Sequence, residues 1–299
     1  MRIGITGASG MLGTALISKI SKSHKVFATS RDKGLEEKNI KWDCFDLTNT
    51  KMLYKWLNKT KPELVIHCAA IVNVDLCEEN IELATALHVE STEILVNFLN
   101  STNSGLIYIS TDSVFNGEKS DSYNETDLPE PLNIYARTKL QAEKVVQSFD
   151  NGLVLRTNII GWTHEGKTSF FEWLLKNLID NKPMNLFHDV YFSPLTVEGL
   201  SSIIENIILN PILGLYHCAS SDSISKYDFG IKVSEIFQLS TSNINSISVD
   251  NLNFKAARPK NMALNISKIS SALEYDFPSV TDSINLMKRQ FDKRINDII

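Results

Sequence analysis

The sequence of 299 residues predicts an α/β fold, built as a doubly wound parallel sheet with helices on both faces. Short apolar runs alternate with longer segments of helical periodicity through the first half of the chain. A turn containing three glycines follows the first apolar run directly. Alternation of this kind is typical of a parallel sheet that is buried on both sides. We therefore expect one continuous α/β unit in the first half of the chain.

The strands and helices of this unit follow one another in order. The predicted strands are Arg2–Thr6, Lys25–Thr29, Ile40–Phe45, Leu64–Cys68, Leu106–Ser110 and Leu153–Arg156. The predicted helices are Met11–Ser21, Thr50–Lys59, Ile81–Leu99 and Tyr135–Phe149. In the third helix, Leu83, Leu87, Ile94, Leu95 and Phe98 recur three, four and seven positions apart, as one buried helical face requires.

After about Thr157 the pattern becomes looser. The predicted helices there are Thr168–Asp180, Thr196–Leu209, Lys226–Phe237 and Val280–Asp297, and the predicted strands are Met184–Phe187 and Leu215–Cys218. The sequence shows no repeat and no linker rich in Gly, Pro or Ser. We therefore predict a first domain of residues 1–157 and a smaller α/β lobe of residues 158–299 packed on it, with interleaving of the two allowed.

Composition excludes several classes of protein. Hydrophobic residues make up 43% of the chain and its net charge is −5, so a disordered chain and a basic nucleic-acid binder are both disfavoured. The four cysteines lie far apart, and the histidines lack metal-ligand spacing, so we predict neither a disulfide framework nor a metal site. No apolar run approaches the roughly 20 residues of a membrane span. We expect a cytoplasmic protein with no nucleic-acid or membrane partner.

The sharpest local signal is the turn Gly7-Ala8-Ser9-Gly10-Met11-Leu12-Gly13, between the first strand and the first helix. Glycines allow the backbone to approach a pyrophosphate, and the helix that begins here directs its N–H groups and positive dipole end at the anion. Gly7, Gly10 and Gly13 stand three apart, and Met11 and Leu12 lie in the first helical turn. We predict a dinucleotide-binding Rossmann unit, with a ligand-free glycine turn as the weaker alternative.

The end of the second strand bears on the choice of cofactor. An acidic residue there binds the ribose 2′-hydroxyl of NAD, whereas a basic residue accommodates the 2′-phosphate of NADP. This strand runs into Ser30 and Arg31, which favours NADPH and leaves NADH as the alternative. Because Asp32 follows at once, a solvated surface pair of Arg31 and Asp32 is the competing interpretation.

A tyrosine and a lysine four positions apart, Tyr135 and Lys139, lie on one face of a predicted helix. A phenol has a pKa near 10, and a neighbouring ammonium should lower the pKa of Tyr135 toward the neutral range. Thr111 lies at the end of a predicted strand, where side chains face the cofactor crevice. Alone the tyrosine–lysine pair is weak evidence, and its order after the glycine turn and Thr111 strengthens it.

Together these motifs resemble the extended short-chain dehydrogenase/reductase superfamily, and several stretches are similar to its dTDP-4-dehydrorhamnose reductase branch. The stretches are residues 69–75, residues 110–117, residues 131–143, Arg156-Thr157, residues 214–217 and Arg258-Pro259. The resemblance extends over nearly the whole chain. It implies a Rossmann domain for residues 1–157 and a substrate-binding lobe after it.

The resemblance also implies roles for individual residues. Tyr135 would be the general acid, Lys139 would tune its pKa and bind the nicotinamide ribose, and Thr111 would donate to the substrate carbonyl. The implied cofactor contacts are Gly7, Gly10, Met11, Leu12, Gly13, Ser30, Arg31, Asp46, Leu47, Cys68, Ala69, Ala70, Tyr135 and Lys139. The implied substrate contacts are Val72, Asn158 and Arg258. From the residues alone, Cys68 also fits a plain core position.

Two positions depart from the branch. The tryptophan that usually follows the Arg-Thr pair is replaced by Ile159, which leaves the identity of the sugar open. The branch usually has asparagine where this chain has His88. We interpret His88 as a structural replacement, with a part in a proton relay as the alternative.

The resemblance implies NADPH-dependent reduction of the 4-keto group of a nucleotide-activated deoxysugar, in dTDP-rhamnose or cell-surface polysaccharide biosynthesis. A sugar-nucleotide epimerase or dehydratase is one alternative, although a dehydratase has glutamate where this chain has Ser113. A non-catalytic NADP-binding regulatory subunit is the other. The sequence leaves the oligomeric state open, with a homodimer among the alternatives.

Overall fold

Among the described residues, the central sheet has seven strands, all parallel. The computed structural model describes residues 1–34, 39–163 and 168–296. The first six strands are β1 (Arg2–Thr6), β2 (Lys25–Ser30), β3 (Ile40–Cys44), β4 (Leu64–His67), β5 (Gly105–Thr111) and β6 (Gly152–Thr157), all within two residues of the predicted bounds. Their order is β6-β5-β4-β1-β2-β3, so the chain reverses its direction across the sheet between β1 and β4. A ligand crevice is expected at this switch point, beyond the carboxyl ends of the strands.

The helices of the first half flank this sheet. They are α1 (Met11–Ile20), α2 (Thr50–Thr60), α3 (Val74–Glu79), α4 (Ile81–Thr85), α5 (Ser91–Ser101) and α6 (Ile134–Gln147), with a π-helical turn at Ala86–Glu90 and a 3₁₀ turn at Asp112–Val114. The single helix predicted over Ile81–Leu99 is therefore wrong in detail, because the π-helical turn separates α4 from α5. A π turn inserts one extra residue per turn, which periodicity in the sequence does not reveal.

The second half forms a smaller lobe and adds to the central sheet. Its strands are β7 (Ile159–Ile160), β8 (Met184–Phe187), β9 (Tyr191–Phe192), β10 (Leu195–Thr196), β11 (Gly214–His217), β12 (Ile224–Ser225), β13 (Ile244–Ile247) and β14 (Asn261–Met262). Its helices are α7 (Phe170–Ile179), α8 (Val197–Leu209), α9 (Lys226–Phe237), α10 (Ser267–Leu273) and α11 (Val280–Asn296), with a 3₁₀ turn at Val249–Asn251. The last residue predicted for the final helix, Asp297, lies outside the described residues.

Strand β11 pairs with β6 and becomes the seventh strand of the central sheet. Helix α8 packs beside α1 on one face of that sheet, in a core that includes Leu16 and Ile204. The other face is covered by α2, α5 and α6, whose Leu53, Leu99 and Val146 share a second core. Residues after Thr157 thus complete both the sheet and one of its helical layers.

The rest of the smaller lobe has its own aromatic core. Phe171, Phe192 and Phe229 are fully buried there, between α7, α9 and three small sheets. One of these sheets has the order β12-β9-β14, and its central strand β9 contains Phe192. In the part of the chain that the structure describes, no helix is long and apolar enough to cross a membrane.

Candidate active site

The glycine turn forms a cradle at the switch point. Gly7 has φ +64°, and a Cβ on it would lie 2.7 Å from the backbone of Ala69, which follows β4. A Cβ on Gly13 would lie 2.5 Å from the Gly7 carbonyl oxygen. These positions therefore require glycine, because the backbone of β1, α1 and the segment after β4 converge there.

Helix α1 begins in this cradle with free donors. Its N-cap is Gly10, which supplies no side-chain cap, so the N–H groups of Met11, Leu12 and Gly13 point out of the first turn. Backbone donors at the positive end of a helix form an anion site. The cradle and the helix end fit the pyrophosphate of a dinucleotide.

The predicted adenosine contacts surround the ends of β2 and β3. The Ser30 side chain is buried and donates to the Asp32 carbonyl, while Arg31 is exposed beside it. The Asp46 carboxylate accepts from the Thr48 backbone N–H at 2.9 Å, so it already closes the turn that leads into α2. Leu47 is buried next to it. Arg31 is thus the free charged group among the predicted contacts at this end.

The segment after β4 forms one wall of the crevice. Cys68 N–H donates to the Thr6 carbonyl at 3.2 Å, and burial raises the pKa of the Cys68 thiol to about 12. The Ala69 N–H lies 3.5 Å from the Thr6 hydroxyl. Ala70 follows and is half-buried. The thiol is therefore uncharged at neutral pH, and this wall is presented to a ligand mainly as backbone.

The three predicted catalytic residues come together at the end of β5 and the start of α6. Thr111 is the last residue of β5, and its hydroxyl accepts from the Ser113 backbone N–H at 3.1 Å. Tyr135 is the second residue of α6, and its phenol lies close enough to the Thr111 side chain for that side chain to act against the effect of burial on the pKa of Tyr135. Lys139 follows one turn later and is 2% exposed. The side chains predicted to hold the carbonyl and to protonate it are therefore neighbours.

The expected fall in the Tyr135 pKa is wrong for this structure. Burial raises the pKa of Tyr135 above its ordinary value of 10, and the nearby Asp112 charge acts in the same direction. Burial lowers the pKa of Lys139 to about 7, against the opposing effect of the Glu143 charge. Lys139 also donates to the Ile109 carbonyl at 2.7 Å. For Tyr135, desolvation outweighs the opposing effect of the Thr111 side chain, so its phenol is a protonated acid throughout the neutral range.

His88 is a fixed structural element of the site. It lies in the π-helical turn, is fully buried, and accepts the Ile71 N–H on Nε2 at 2.9 Å. Nδ1 therefore carries the proton and donates to the Thr138 hydroxyl at 2.8 Å. Burial lowers the pKa of His88 to about 2, so the imidazole stays neutral. Both ring nitrogens are used to tie the segment after β4 to α6, which favours the structural interpretation over a proton relay.

The predicted substrate residues lie at two places. Asn158 donates from Nδ2 to the buried Asp112 carboxylate at 2.7 Å, beside Thr111. Val72 is 77% exposed and lies two residues before α3. Arg258 contacts Asp75 of that helix, with Nη2 at 3.3 Å from Oδ1. Asn158 is thus at the catalytic end of the site, and Val72 and Arg258 are at its outer edge.

Two residues of this region were not among the predicted site residues. Asp112 is 1% exposed and accepts from Asn158 and from the Ser113 hydroxyl at 3.2 Å. The charge of Asp112 also acts on Lys226, the first residue of α9. Lys226 stands far along the chain, in a helix predicted only from its apolar spacing. Nothing in the sequence could have placed it beside β5.

A cavity of about 860 Å³ lies elsewhere, between the smaller lobe and residues 119–122, and contains none of the predicted site residues. Two of its lining lysines are already paired. Lys119 lies 2.6 Å from Asp127, and Lys260 lies 2.5 Å from Asp250. The candidate active site is instead the crevice between the glycine turn, the end of β5 and α6.

The chain is similar to known proteins over almost its full length. The model of the family described as RmlD substrate binding domain matches residues 1–292. A probable low-salt glycan biosynthesis reductase of Haloferax volcanii is 29% identical, over 96% of this chain and 97% of that protein. The dTDP-4-dehydrorhamnose reductase of Aggregatibacter actinomycetemcomitans is 28% identical, over 91% of this chain and 92% of that protein.

Two further similarities bear on the fold and on alternatives. The methionine adenosyltransferase 2 subunit beta of Xenopus laevis is 30% identical, over 89% of this chain and 80% of that protein. The structure of dTDP-4-dehydrorhamnose reductase from Bacillus anthracis, solved with NADP, matches with a TM-score of 0.84 at 24% identity. It covers 97% of this chain and 99% of that one. At that identity the match shows a shared fold.

Proposed function

Because the chain belongs to the RmlD substrate binding domain family, we propose that it reduces the 4-keto group of a nucleotide-activated deoxysugar with NADPH. The proposal rests on one observation: the Thr111 and Tyr135 side chains are neighbours, and Lys139 follows Tyr135 by one helical turn. This cluster lies beside the glycine cradle. An acid, a carbonyl-holding hydroxyl and a dinucleotide site are the parts that such a reduction needs.

The residues divide the chemistry between them. NADPH, when bound, supplies the hydride. The Tyr135 phenol donates its proton to the carbonyl oxygen, and the Thr111 hydroxyl holds that oxygen in place. Lys139 binds the cofactor ribose beside Tyr135. Because burial raises the pKa of Tyr135, the phenol is in its proton-donating form at neutral pH.

The preference for NADPH over NADH rests on Arg31. Arg31 is exposed directly after β2. The Asp46 carboxylate, after the end of β3, is already hydrogen bonded within its own turn. A guanidinium suits a 2′-phosphate, with which it forms charge-assisted hydrogen bonds. The product class, a nucleotide-activated deoxysugar, suits the biosynthesis of dTDP-rhamnose or of another cell-surface polysaccharide unit.

One alternative is favoured by a specific similarity. The match to a methionine adenosyltransferase 2 subunit beta supports a non-catalytic role as a regulatory subunit. The presence of Thr111, Tyr135 and Lys139 in one cluster favours the reductase. A dehydratase is disfavoured, because Ser113 follows Asp112 and its hydroxyl donates to the Asp112 carboxylate.

The decisive experiment is turnover. The purified protein is mixed with NADPH and a panel of 4-keto nucleotide sugars that includes dTDP-4-dehydrorhamnose, and absorbance of NADPH is followed. A reductase consumes NADPH and yields the 4-hydroxy sugar. Binding of NADPH without turnover of any panel member would move the assignment to the regulatory subunit.

A further inference from the structure

The Lys226 ammonium, beside the catalytic cluster, makes no hydrogen bond or ion pair with the described part of the chain and lies over two aromatic rings. Its Nζ lies 3.2 Å from the centroid of the Phe192 ring and 4.4 Å from that of Phe170. Within residues 1–34, 39–163 and 168–296, no hydrogen bond or ion pair involves this ammonium. The aromatic faces hold the charge in place by cation–π attraction and use none of its N–H donors. The donors of Lys226 are therefore available to a ligand.

Contacts between the two lobes place this group near Thr111, at the end of β5. Phe192 is paired in register with Met262 of β14. The Ser113 hydroxyl lies 3.7 Å from the Met262 sulfur, and Ser113 follows Thr111 by two residues. Lys226 and the Phe192 ring beneath it are thus connected to the end of β5 through Met262. The charge of Asp112, the residue between, acts on Lys226 from that side.

The surroundings of Asp112 decide which ligand group fits. Its two carboxylate oxygens accept from Asn158 at 2.7 Å and from Thr111 and Ser113 at 3.1 and 3.2 Å. A phosphate group placed beside this buried carboxylate would be repelled. A neutral hydroxyl can accept from the Lys226 ammonium without such repulsion. Arg258 lies at the outer edge of the site, where the diphosphate of an extended nucleotide sugar can reach it.

We propose that Lys226 recognises the hexose ring of the substrate by donating a hydrogen bond to a hydroxyl next to the keto carbon held by Thr111. This inference rests on the proposed function for the identity of the ligand. It gives the smaller lobe a specificity-determining residue at the reacting end of the sugar. It also gives the ring of Phe192 a role, because the ring fixes the ammonium over the cleft.

Binding measurements test this inference without catalysis. Calorimetry with NADP⁺ present compares dTDP-rhamnose with dTDP for the wild-type protein and for Lys226→Met, which keeps the apolar chain on the aromatic rings. We expect Lys226→Met to weaken dTDP-rhamnose about tenfold, the loss expected for one charged hydrogen bond, and to change dTDP less than about twofold. Lys226→Arg should restore most of the affinity. Lys232→Met, on another face of α9, is the control.

Two results would overturn the inference. An equal loss for dTDP and dTDP-rhamnose would assign Lys226 to the diphosphate or to the fold, and melting curves for both variants separate those two. Unchanged binding of dTDP-rhamnose by Lys226→Met would remove Lys226 from the site. NADPH turnover by the wild-type protein is scored separately, so a failure of the proposed function is distinguished from a failure of this inference.

Discussion

The Tyr135 phenol is the residue on which the proposed chemistry depends. Tyr135→Phe removes the hydroxyl and leaves the ring against the edge of His88. We expect turnover to fall at least about a hundredfold, since a positioned acid contributes roughly 10²–10⁴ in rate, while NADPH binding is spared. NADPH oxidation and fluorescence titration measure the two quantities. Tyr54→Phe, at an exposed position on α2, is the control, and near-normal turnover of Tyr135→Phe would refute the assignment.

Cofactor choice is predicted to depend on a single exposed side chain. Arg31→Ala removes the guanidinium that follows β2, and we expect it to weaken NADPH about tenfold and to leave NADH almost unchanged. Dissociation constants for both cofactors check this, with Arg289→Ala on α11 as a control at another exposed arginine. Equal wild-type affinity for NADH and NADPH would contradict the prediction.

Several site residues could be predicted because short sequence motifs with a fixed spacing identify them. Gly7, Gly10 and Gly13 mark a turn, and the tyrosine–lysine pair marks a helical face. The raised pKa of Tyr135 could not be predicted, because desolvation depends on what packs around the phenol. Lys226 could not be predicted either, since only the folding of the smaller lobe brings α9 to the end of β5.

At the scale of elements, α6 is fixed to the sheet by a buried ion pair. Glu143 of α6 is fully buried, and Arg156 of β6 donates to it from Nη2 at 2.7 Å and from Nε at 3.0 and 3.1 Å. The Ser110 hydroxyl of β5 donates to the same carboxylate. Since Glu143 lies one turn after Lys139, this contact fixes the catalytic face of α6 over the strand ends. Breaking one side of such a pair costs about 3–5 kcal/mol.

The charge of Glu143 also sets the alkaline limit of activity. Burial lowers the pKa of Lys139 to about 7 and the Glu143 charge raises it, so kcat/KM for NADPH should fall as pH rises above about 7. Glu143→Gln should move this fall to lower pH, because the opposing charge is gone. A pH profile of kcat/KM makes the comparison, with Glu235→Gln at an exposed position of α9 as the control. A profile that does not move would separate Glu143 from Lys139.

The elements themselves followed from the sequence where apolar residues are buried on both sides. All six predicted strands of the first half are present, because each is an apolar run in a parallel sheet. The family inferred from the motifs is confirmed. Two-residue strands such as β9 and β14 were missed, since they are held by tertiary packing and carry no periodicity. The π-helical turn was missed because the spacing of apolar residues does not reveal one extra residue in a helical turn.

At the scale of the whole molecule, three histidines that are buried and neutral in the described part of the chain make stability depend on pH. Burial lowers the pKa of His67 to about 3, of His88 to about 2 and of His217 to about 3. Each folded-state pKa lies below the unfolded value near 6.5, so the unfolded chain binds more protons and stability is lost as pH falls below about 6.5. At pH 5.5 each histidine should cost about 1.4 kcal/mol. Urea unfolding between pH 7.5 and 5.0 measures the loss.

A variant gives this prediction a control. His88→Asn removes one of the three titrating groups and keeps a side chain that can donate and accept. We expect the variant to be less stable at pH 7.5 and to lose about a third less free energy between pH 7.5 and 5.5 than the wild-type protein. An identical slope in both proteins would show that other groups carry the pH dependence.

The position of β11 has a consequence for how the protein is made. The edge of β6 stays unpaired until residues 214–217 have left the ribosome, long after the glycine turn and β1–β6 are available. An open edge of buried, apolar β6 is a template for pairing with another chain. Nascent chains that stall between residues 157 and 217 should therefore be aggregation-prone intermediates that require a chaperone. The native sheet closes only when most of the polypeptide has been synthesised.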